Sequence, residues 1–265
     1  MRRRLVVVGA AGRMGRCIVS LVGESDRFEL IAAIERQDHP DIGKDVGLIA
    51  GAGPMNVMLG SDFPVDADVA IDFSLPKAAE KTIDHCSENR VPLVLGTTGL
   101  SDEQKRNIKK ASERIPLVYA TNMSVGMNVL FSLVGKFAQM LGEDYDIEII
   151  EKHHRFKKDA PSGTALTLAE NICKATGRNS TQALSYGRHG KDAARQTSEI
   201  GIHAIRAGDI TGVHSVIFGS LGETVTLNHT AHSRDTFVRG ALRAAEWVVG
   251  KKPALYSMAD VLGIK

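Results

Sequence analysis

The sequence predicts an α/β protein of two domains, and three observations carry that reading. At about 150 residues per domain, a chain of 265 residues favours two domains over one. The first 120 residues alternate short β-branched runs with helical stretches, the pattern of a parallel sheet with helices on both faces. Beyond about residue 122 that alternation stops. Consecutive extended runs joined by short turns then imply a second domain of α+β type.

Residues 5–8 are a β-branched run ending at Gly9, and residues 14–22 carry apolar side chains at helical spacing. Further strands are predicted over 28–34, 68–73, 92–95 and 117–120, with polar-faced helices over 77–89 and 101–114 between them. Ser101 and Gln104, three residues apart, form a capping-box pattern at the start of the second of these helices. Residues 36–66 are glycine-rich and give no clear element. A long helix over 125–141 leads to a strand over 145–151, a basic stretch and a helix over 161–176. After an uninformative polar region, extended runs cover 199–206, 212–219 and 223–231. Turns at Gly208-Asp209 and Leu221-Gly222 join them, so neighbouring strands should be antiparallel or mixed. A last helix spans 236–249. The expected organisation is a first domain of residues 1–123 plus 236–265, into which residues 124–235 are inserted.

Composition narrows the function classes. Apolar residues at 43% and charged residues at 24% exclude a disordered or fibrous chain. A net charge of +2 is too small to imply a dedicated nucleic-acid or membrane binder. Cys17, Cys86 and Cys173 have no metal-ligand spacing and fit a reducing compartment. The basic start at Arg2, Arg3 and Arg4 imitates a signal peptide, but Gly12 and Arg13 interrupt the apolar run that follows. The uncharged segment 116–135 is of bilayer length but contains Asn122, Ser124, Asn128 and Ser132. The expectation is a cytoplasmic protein with neither nucleic acid nor membrane as a partner.

The turn after the first strand holds Gly9, Ala10, Ala11, Gly12, Arg13, Met14 and Gly15, a G-x-x-G-x-x-G variant of the dinucleotide fingerprint. Small residues let the backbone approach a pyrophosphate, and the following helix presents N–H groups to it. Glu35 lies twenty residues after Gly15, at the end of the second strand, where an acid can accept from ribose hydroxyls. Arg36 beside it can face a 2′-phosphate; the alternative is that the pair is only a solvated strand end. Gly96, Thr97 and Thr98 follow another strand on the same carboxyl edge, as do Ala120, Thr121, Asn122 and Met123. Their small and hydroxyl side chains suit a nicotinamide ring, although ordinary turns look similar.

Residues 152–158 place Lys152, His153, His154, Arg155, Lys157 and Lys158 around Phe156. A solvated charge run or nucleic-acid patch is one reading. The run is followed, however, by Pro161, Ser162, Gly163 and Thr164 at a helix start, where N–H groups and hydroxyls complement a carboxylate. Crowding of cations should also lower the pKa of a lysine or histidine there and improve it as a proton donor. A metal site is not expected, because adjacent strand histidines point to opposite faces and no Cys partner is near.

The glycine turn, the Gly96–Thr98 turn and, above all, the segment from Glu151 through His153, His154, Lys157 and Ser162 to Ala165 together resemble one family. It is that of the 4-hydroxy-tetrahydrodipicolinate reductases, also called dihydrodipicolinate reductases. The resemblance covers nearly the whole chain in element order, and the third motif is its most specific part. It implies a Rossmann-type domain binding NADH or NADPH and an inserted α+β domain that binds substrate and assembles a homotetramer. The implied substrate is a cyclic dicarboxylate, 4-hydroxy-tetrahydrodipicolinate, reduced by way of dihydrodipicolinate to tetrahydrodipicolinate on the diaminopimelate route to lysine. By the same resemblance Gly9 to Met14 hold the pyrophosphate, Glu35 the adenosine ribose, and Arg36 the phosphate of NADPH. The turns at Gly96–Thr98 and Ala120–Met123 flank the nicotinamide. His153 is the catalytic histidine and Lys157 the proton donor, while His154, Ser162, Gly163 and Thr164 bind substrate carboxylate. Two other classes compete: another oxidoreductase on this plan, and a non-catalytic dinucleotide sensor. The segment from His153 to Thr164 speaks against the first, and the second has no need of a lysine facing a carboxylate nest.

Overall fold

The computed structural model describes residues 1–264. The chain divides into two compact units, one of Met1–Val125 with the returning segment from Arg234 on, the other of Gly126–Ser233. The first unit opens with β1 (Arg3–Val8), α1 (Arg13–Gly23), β2 (Phe28–Ile34), α2 (Val46–Ala50), β3 (Leu59–Gly60) and β4 (Val69–Asp72). There follow α3 (Pro76–Asn89), β5 (Leu93–Leu95), α4 (Asp102–Ser112) and β6 (Pro116–Tyr119). Ser101 caps α4 with both bonds of the capping box in place. Along β1, Leu5 and Val7 face one core cluster while Val6 and Val8 face another, which is why the strand reads as an unbroken apolar run.

The second unit contains α5 (Val125–Leu141), whose first residue closes the first unit, then β7 (Asp146–His153), α6 (Gly163–Thr176), α7 (Ser180–Ala183) and β8 (Leu184–Tyr186). It continues with β9 (Ile200–Arg206), β10 (Gly212–Ser220) and β11 (Glu223–Ala231). The strands form one mixed sheet in the order β11-β10-β7-β9-β8. One face packs Ile147, Ile149, Ile202, Val216 and Phe218 with Val134 of α5 and Leu168 and Ile172 of α6. Glu148, Ile150 and Lys152 alternate with these residues on β7 and are half-buried.

The chain then returns to the first unit through α8 (Asp235–Val248), β12 (Ala254–Tyr256) and α9 (Met258–Leu262). The first sheet is thereby a seven-stranded one in the order β12-β6-β5-β4-β1-β2-β3, and every pairing in it is parallel. Helices α1 and α8 contribute Ile18, Val19, Ala241 and Ala244 to one face; α3 and α4 contribute Ile83 and Ile108 to the other.

Several elements differ from the sequence expectation. Residues 36–66 do contain elements, α2 and β3. The buried Asp45 carboxylate holds this segment by accepting from the N–H groups of Gly47, Leu48, Met55 and Asn56. Strands β9 and β10 are not neighbours, because β7 lies between them, parallel to β9 and antiparallel to β10. The strand β7 runs on to His153, and α6 starts at Gly163 with Ser162 as its N-cap, so Pro161 precedes the helix instead of opening it.

Candidate active site

In the first unit the strand order reverses between β1 and β4, the crevice where open parallel sheets bind ligands. Gly9 turns the chain there with φ +75°, a region open to glycine, and the N–H groups of Gly9 and Ala10 both donate to the Ile34 carbonyl. A Cβ on Gly15 would lie 2.1 Å from the Gly9 carbonyl oxygen, so α1 enters flush against the turn. Gly12 is the N-cap, and Arg13 and Met14 open the first turn of α1, whose N–H groups face outward from the helix end. The cradle fits a pyrophosphate.

Glu35 follows β2, half-buried, and its carboxylate accepts from the Arg36 N–H at 3.1 Å. The exposed Arg36 guanidinium lies 3.4 Å from Asp38. Gly96 and Thr97 are buried, whereas Thr98 is exposed; a Cβ on Gly96 would lie 2.4 Å from the Phe73 ring. The Thr97 hydroxyl donates to Asp72 Oδ1 at 2.8 Å, and the same oxygen accepts from the Ser74 N–H and hydroxyl. Oδ2 of this fully buried Asp72 has no hydrogen-bond partner among the described residues. Sequence reasoning missed Asp72, although its place at the end of β4 on the carboxyl edge was a usable signal. In the Ala120–Met123 turn, Thr121 is exposed and Asn122 half-buried, and the Asn122 side chain accepts from the Ser124 N–H at 2.9 Å. Met123 is a core residue, 1% exposed, and can offer a ligand only its backbone.

The second unit assembles its site at the end of β7. Glu151 and His153, two residues apart on a strand, share a face. His153 Nδ1 lies 2.6 Å from Glu151 Oε2, and the other oxygen, Oε1, accepts from the Ser162 N–H at 3.0 Å. Arg206 on β9 donates one nitrogen to each carboxylate oxygen, both at 2.7 Å. Burial opposes the charge of Glu151, but the bonds from His153, Arg206 and Ser162 hold its carboxyl down at about 2. His214 on β10 lies edge-on to His153 at 5.1 Å, with Nε2 3.0 Å from the Ser162 hydroxyl. Burial, helped by the neighbouring His153, lowers its pKa to about 3, so it is neutral at ordinary pH.

Lys157 Nζ lies 2.8 Å from Asp159, and the Lys157 N–H donates to the His154 carbonyl in a turn. Partial burial works against the charge of Asp159, yet the lysine holds its carboxyl below the usual range. The expected crowding of cations is therefore absent: His153 and Lys157 each face a carboxylate, and Arg155 and Lys158 point to solvent. His154 is half-buried, its ring 6.3 Å from that of Phe156. The structure also corrects the reading of Ser162. Its N–H is given to Glu151 and its hydroxyl caps Ala165 and meets His214, so it braces the site. Gly163, exposed, and Thr164, half-buried, follow it at the helix start. Among the described residues, no group of three or more His, Cys, Asp or Glu side chains is placed to hold a metal, and no helix is long and apolar enough to cross a membrane.

A parallel sheet in this order, with a glycine cradle at its switch point and a buried acid–base cluster on a second unit, defines a dinucleotide-dependent oxidoreductase. Two family models match: Dihydrodipicolinate reductase, N-terminus, over residues 3–123 and Dihydrodipicolinate reductase, C-terminus, over residues 126–262. The 4-hydroxy-tetrahydrodipicolinate reductase of Syntrophus aciditrophicus is 46% identical over 99% of both chains. That of Alkalilimnicola ehrlichii is 45% identical over the whole of both. A dipicolinate-bound dihydrodipicolinate reductase from Paenisporosarcina superposes with a TM-score of 0.73 at 25% identity, covering 98% of this chain and 99% of the other. An amine dehydrogenase from Mycobacterium smegmatis shares the fold at 13% identity, with a TM-score of 0.59 over 97% and 95% of the two chains. The chain belongs to the dihydrodipicolinate reductase family, and it is an NAD(P)H-dependent oxidoreductase.

Proposed function

We propose that this reductase converts 4-hydroxy-tetrahydrodipicolinate, by way of dihydrodipicolinate, to tetrahydrodipicolinate on the diaminopimelate route to lysine. The observation that carries the reading is the shared Glu151 carboxylate. It joins an imidazole to the start of α6, so an acid–base group and a carboxylate nest stand in a fixed relation. A cyclic dicarboxylate is the substrate class such a pair suits.

When bound, the reduced nicotinamide supplies a hydride to C4 of the ring. Gly9 to Met14, with the small Ala10 and Ala11, would hold the cofactor pyrophosphate, and the turns at Gly96–Thr98 and Ala120–Met123 would flank the nicotinamide. Lys157 Nζ delivers the proton to C3, and its Asp159 partner orients the ammonium until then. His153 handles a proton through Nε2, the nitrogen not engaged by Glu151. Gly163 and Thr164 receive one substrate carboxylate at the helix start and His154 contributes beside them. Oxidation of NADH and NADPH by the purified protein, followed at 340 nm with freshly generated substrate, tests the reading. Cofactor binding without turnover would favour a sensor and overturn it.

The assembly is proposed to be a homotetramer built through the sheet of the second unit. Support comes from β11, a nine-residue edge strand that, among the described residues, pairs only with β10. Light scattering should give a mass four times that of the 28.5 kDa chain; a monomer mass would exclude it. The three free cysteines fit the reducing cytoplasm, which is the proposed location.

A further inference from the structure

Glu151 has no part in the proton and hydride transfers described above, yet four donors converge on it in a fully buried position. They are His153 Nδ1, the Ser162 N–H and two nitrogens of Arg206. We propose that Glu151, clamped by Arg206, is a positioning residue. It holds the His153 imidazole in the tautomer with hydrogen on Nδ1 and a bare Nε2, and its second oxygen fixes the start of α6 against that ring.

The sheet register sets this up. In the pairing of β7 with β9, His153 lies opposite Arg206, and in the pairing of β7 with β10, Glu151 lies opposite His214. A carboxylate with its pKa near 2 is ionised and can only accept, so the hydrogen in the 2.6 Å contact belongs to His153 Nδ1. Arg206 meets both oxygens at once, which fixes the carboxylate plane and leaves it no rotation with which to release the imidazole. The same guanidinium donates to the Asp159 carbonyl at 2.6 Å and so ties down the end of the turn that carries Lys157. At the other nitrogen, a Cβ on Gly212 would come within 3.2 Å of Nε2, so glycine keeps that atom clear. Neutral His214 closes the remaining side and braces the Ser162 hydroxyl. One carboxylate thus aligns three parts of the site: imidazole, helix start and lysine turn.

The proposal rests on the role of His153 in the reaction given above, and the test separates the two. Imidazole nitrogen NMR on the full-length 15N-labelled protein reads the tautomer without turnover. His153 should show a protonated Nδ1 in the native protein. In Glu151→Gln, whose amide nitrogen faces the ring, the hydrogen should move to Nε2. Alongside it, kcat should fall by about 10- to 100-fold while KM moves far less, since the glutamine oxygen still accepts from Ser162. A double variant, Glu151→Gln with Arg206→Met, gives the same readout without an unpaired buried guanidinium if the single variant fails to fold. An unchanged tautomer, or kcat near the native value, overturns the role of Glu151. Normal turnover in His153→Ala with the tautomer switch intact would instead overturn the reaction role of His153.

Discussion

The two units build their sites from different material. The first uses backbone: the turn at Gly9, the close approach at Gly15 and the helix start at Arg13 and Met14, with half-buried Glu35 and exposed Arg36 following β2. The second uses side chains, with Glu151, His153, Ser162 and His214 all buried and each engaged by another. A backbone cradle suits a phosphate group, which recurs unchanged in every cofactor molecule. A buried network suits chemistry, because its groups must be held in one protonation state and one orientation. The first site should therefore fail by steric intrusion, and the second by loss of a single charge or proton.

The sharpest test of that contrast is removal of Lys157, the proposed proton donor. Lys157→Ala should lower kcat by roughly 10²- to 10⁴-fold, the range for a positioned general acid, while the dissociation constant for NADH stays near native. Near-normal turnover would remove Lys157 from the role. Next in size is an acid instability confined to the second site. The His214 pKa is depressed from 6.5 to about 3, so the unfolded chain takes up the proton first. Its contribution to stability is therefore complete above pH 6.5 and is lost as pH falls from there towards 3. The slope approaches about 1.4 kcal/mol per pH unit. Glu151, depressed from 4.5 to about 2, adds a second loss in the same direction below pH 4.5. Urea unfolding at a series of pH values should show the curve flatten between pH 6.5 and 4.5 in His214→Asn. An unaltered slope would mean that the buried histidine is not the cause.

The same contrast explains what was legible in the sequence. A backbone site is written in consecutive residues, so Gly9 to Gly15 and the acid after β2 could be found by spacing alone. The Glu151–His153 relation was also available, since residues two apart on a strand share a face. Arg206 and His214 were not, because the strand order that brings β9 and β10 to either side of β7 leaves no local trace. The Lys157–Asp159 pair turned a predicted crowd of cations into matched charges, an outcome that depends on side-chain direction in a turn. Likewise α2 and β3 are too short for periodicity to register and depend on one capping carboxylate, Asp45.

A smaller effect is expected from crowding the cradle. In Gly15→Ala the new Cβ would need to occupy space 2.1 Å from the Gly9 carbonyl oxygen, with backbone on both sides and no flexible side chain to yield. Overpacking of this kind costs about 1–3 kcal/mol, and the displaced turn should weaken NADH binding with it. Thermal unfolding and titration calorimetry measure both. A variant with native Tm and native affinity would show that the turn does not need the close approach.

The smallest effect belongs to Glu35, the acid proposed for the ribose, and it should separate the two cofactors instead of abolishing either. Glu35 sits half-buried at the end of β2 with its carboxylate folded onto the Arg36 N–H, a contact it can exchange for ribose hydroxyls. Arg36 stands in solvent beside Asp38, a weak and exposed pairing that a 2′-phosphate can displace. The proposed roles thus differ in ligand: the acid suits a diol and the guanidinium a phosphate. On the proposed assignment, Glu35→Ala removes an acceptor for the ribose of NADH and, for NADPH, a negative charge that opposes the phosphate. Loss of one solvent-exposed hydrogen bond is worth about 1 kcal/mol, so NADH affinity should drop by roughly fivefold while NADPH affinity holds or rises. Arg36→Ala should do the reverse, weakening NADPH alone. Paired dissociation constants for both variants decide the matter, and an equal loss for both cofactors in Glu35→Ala would sink the assignment of the acid to the ribose.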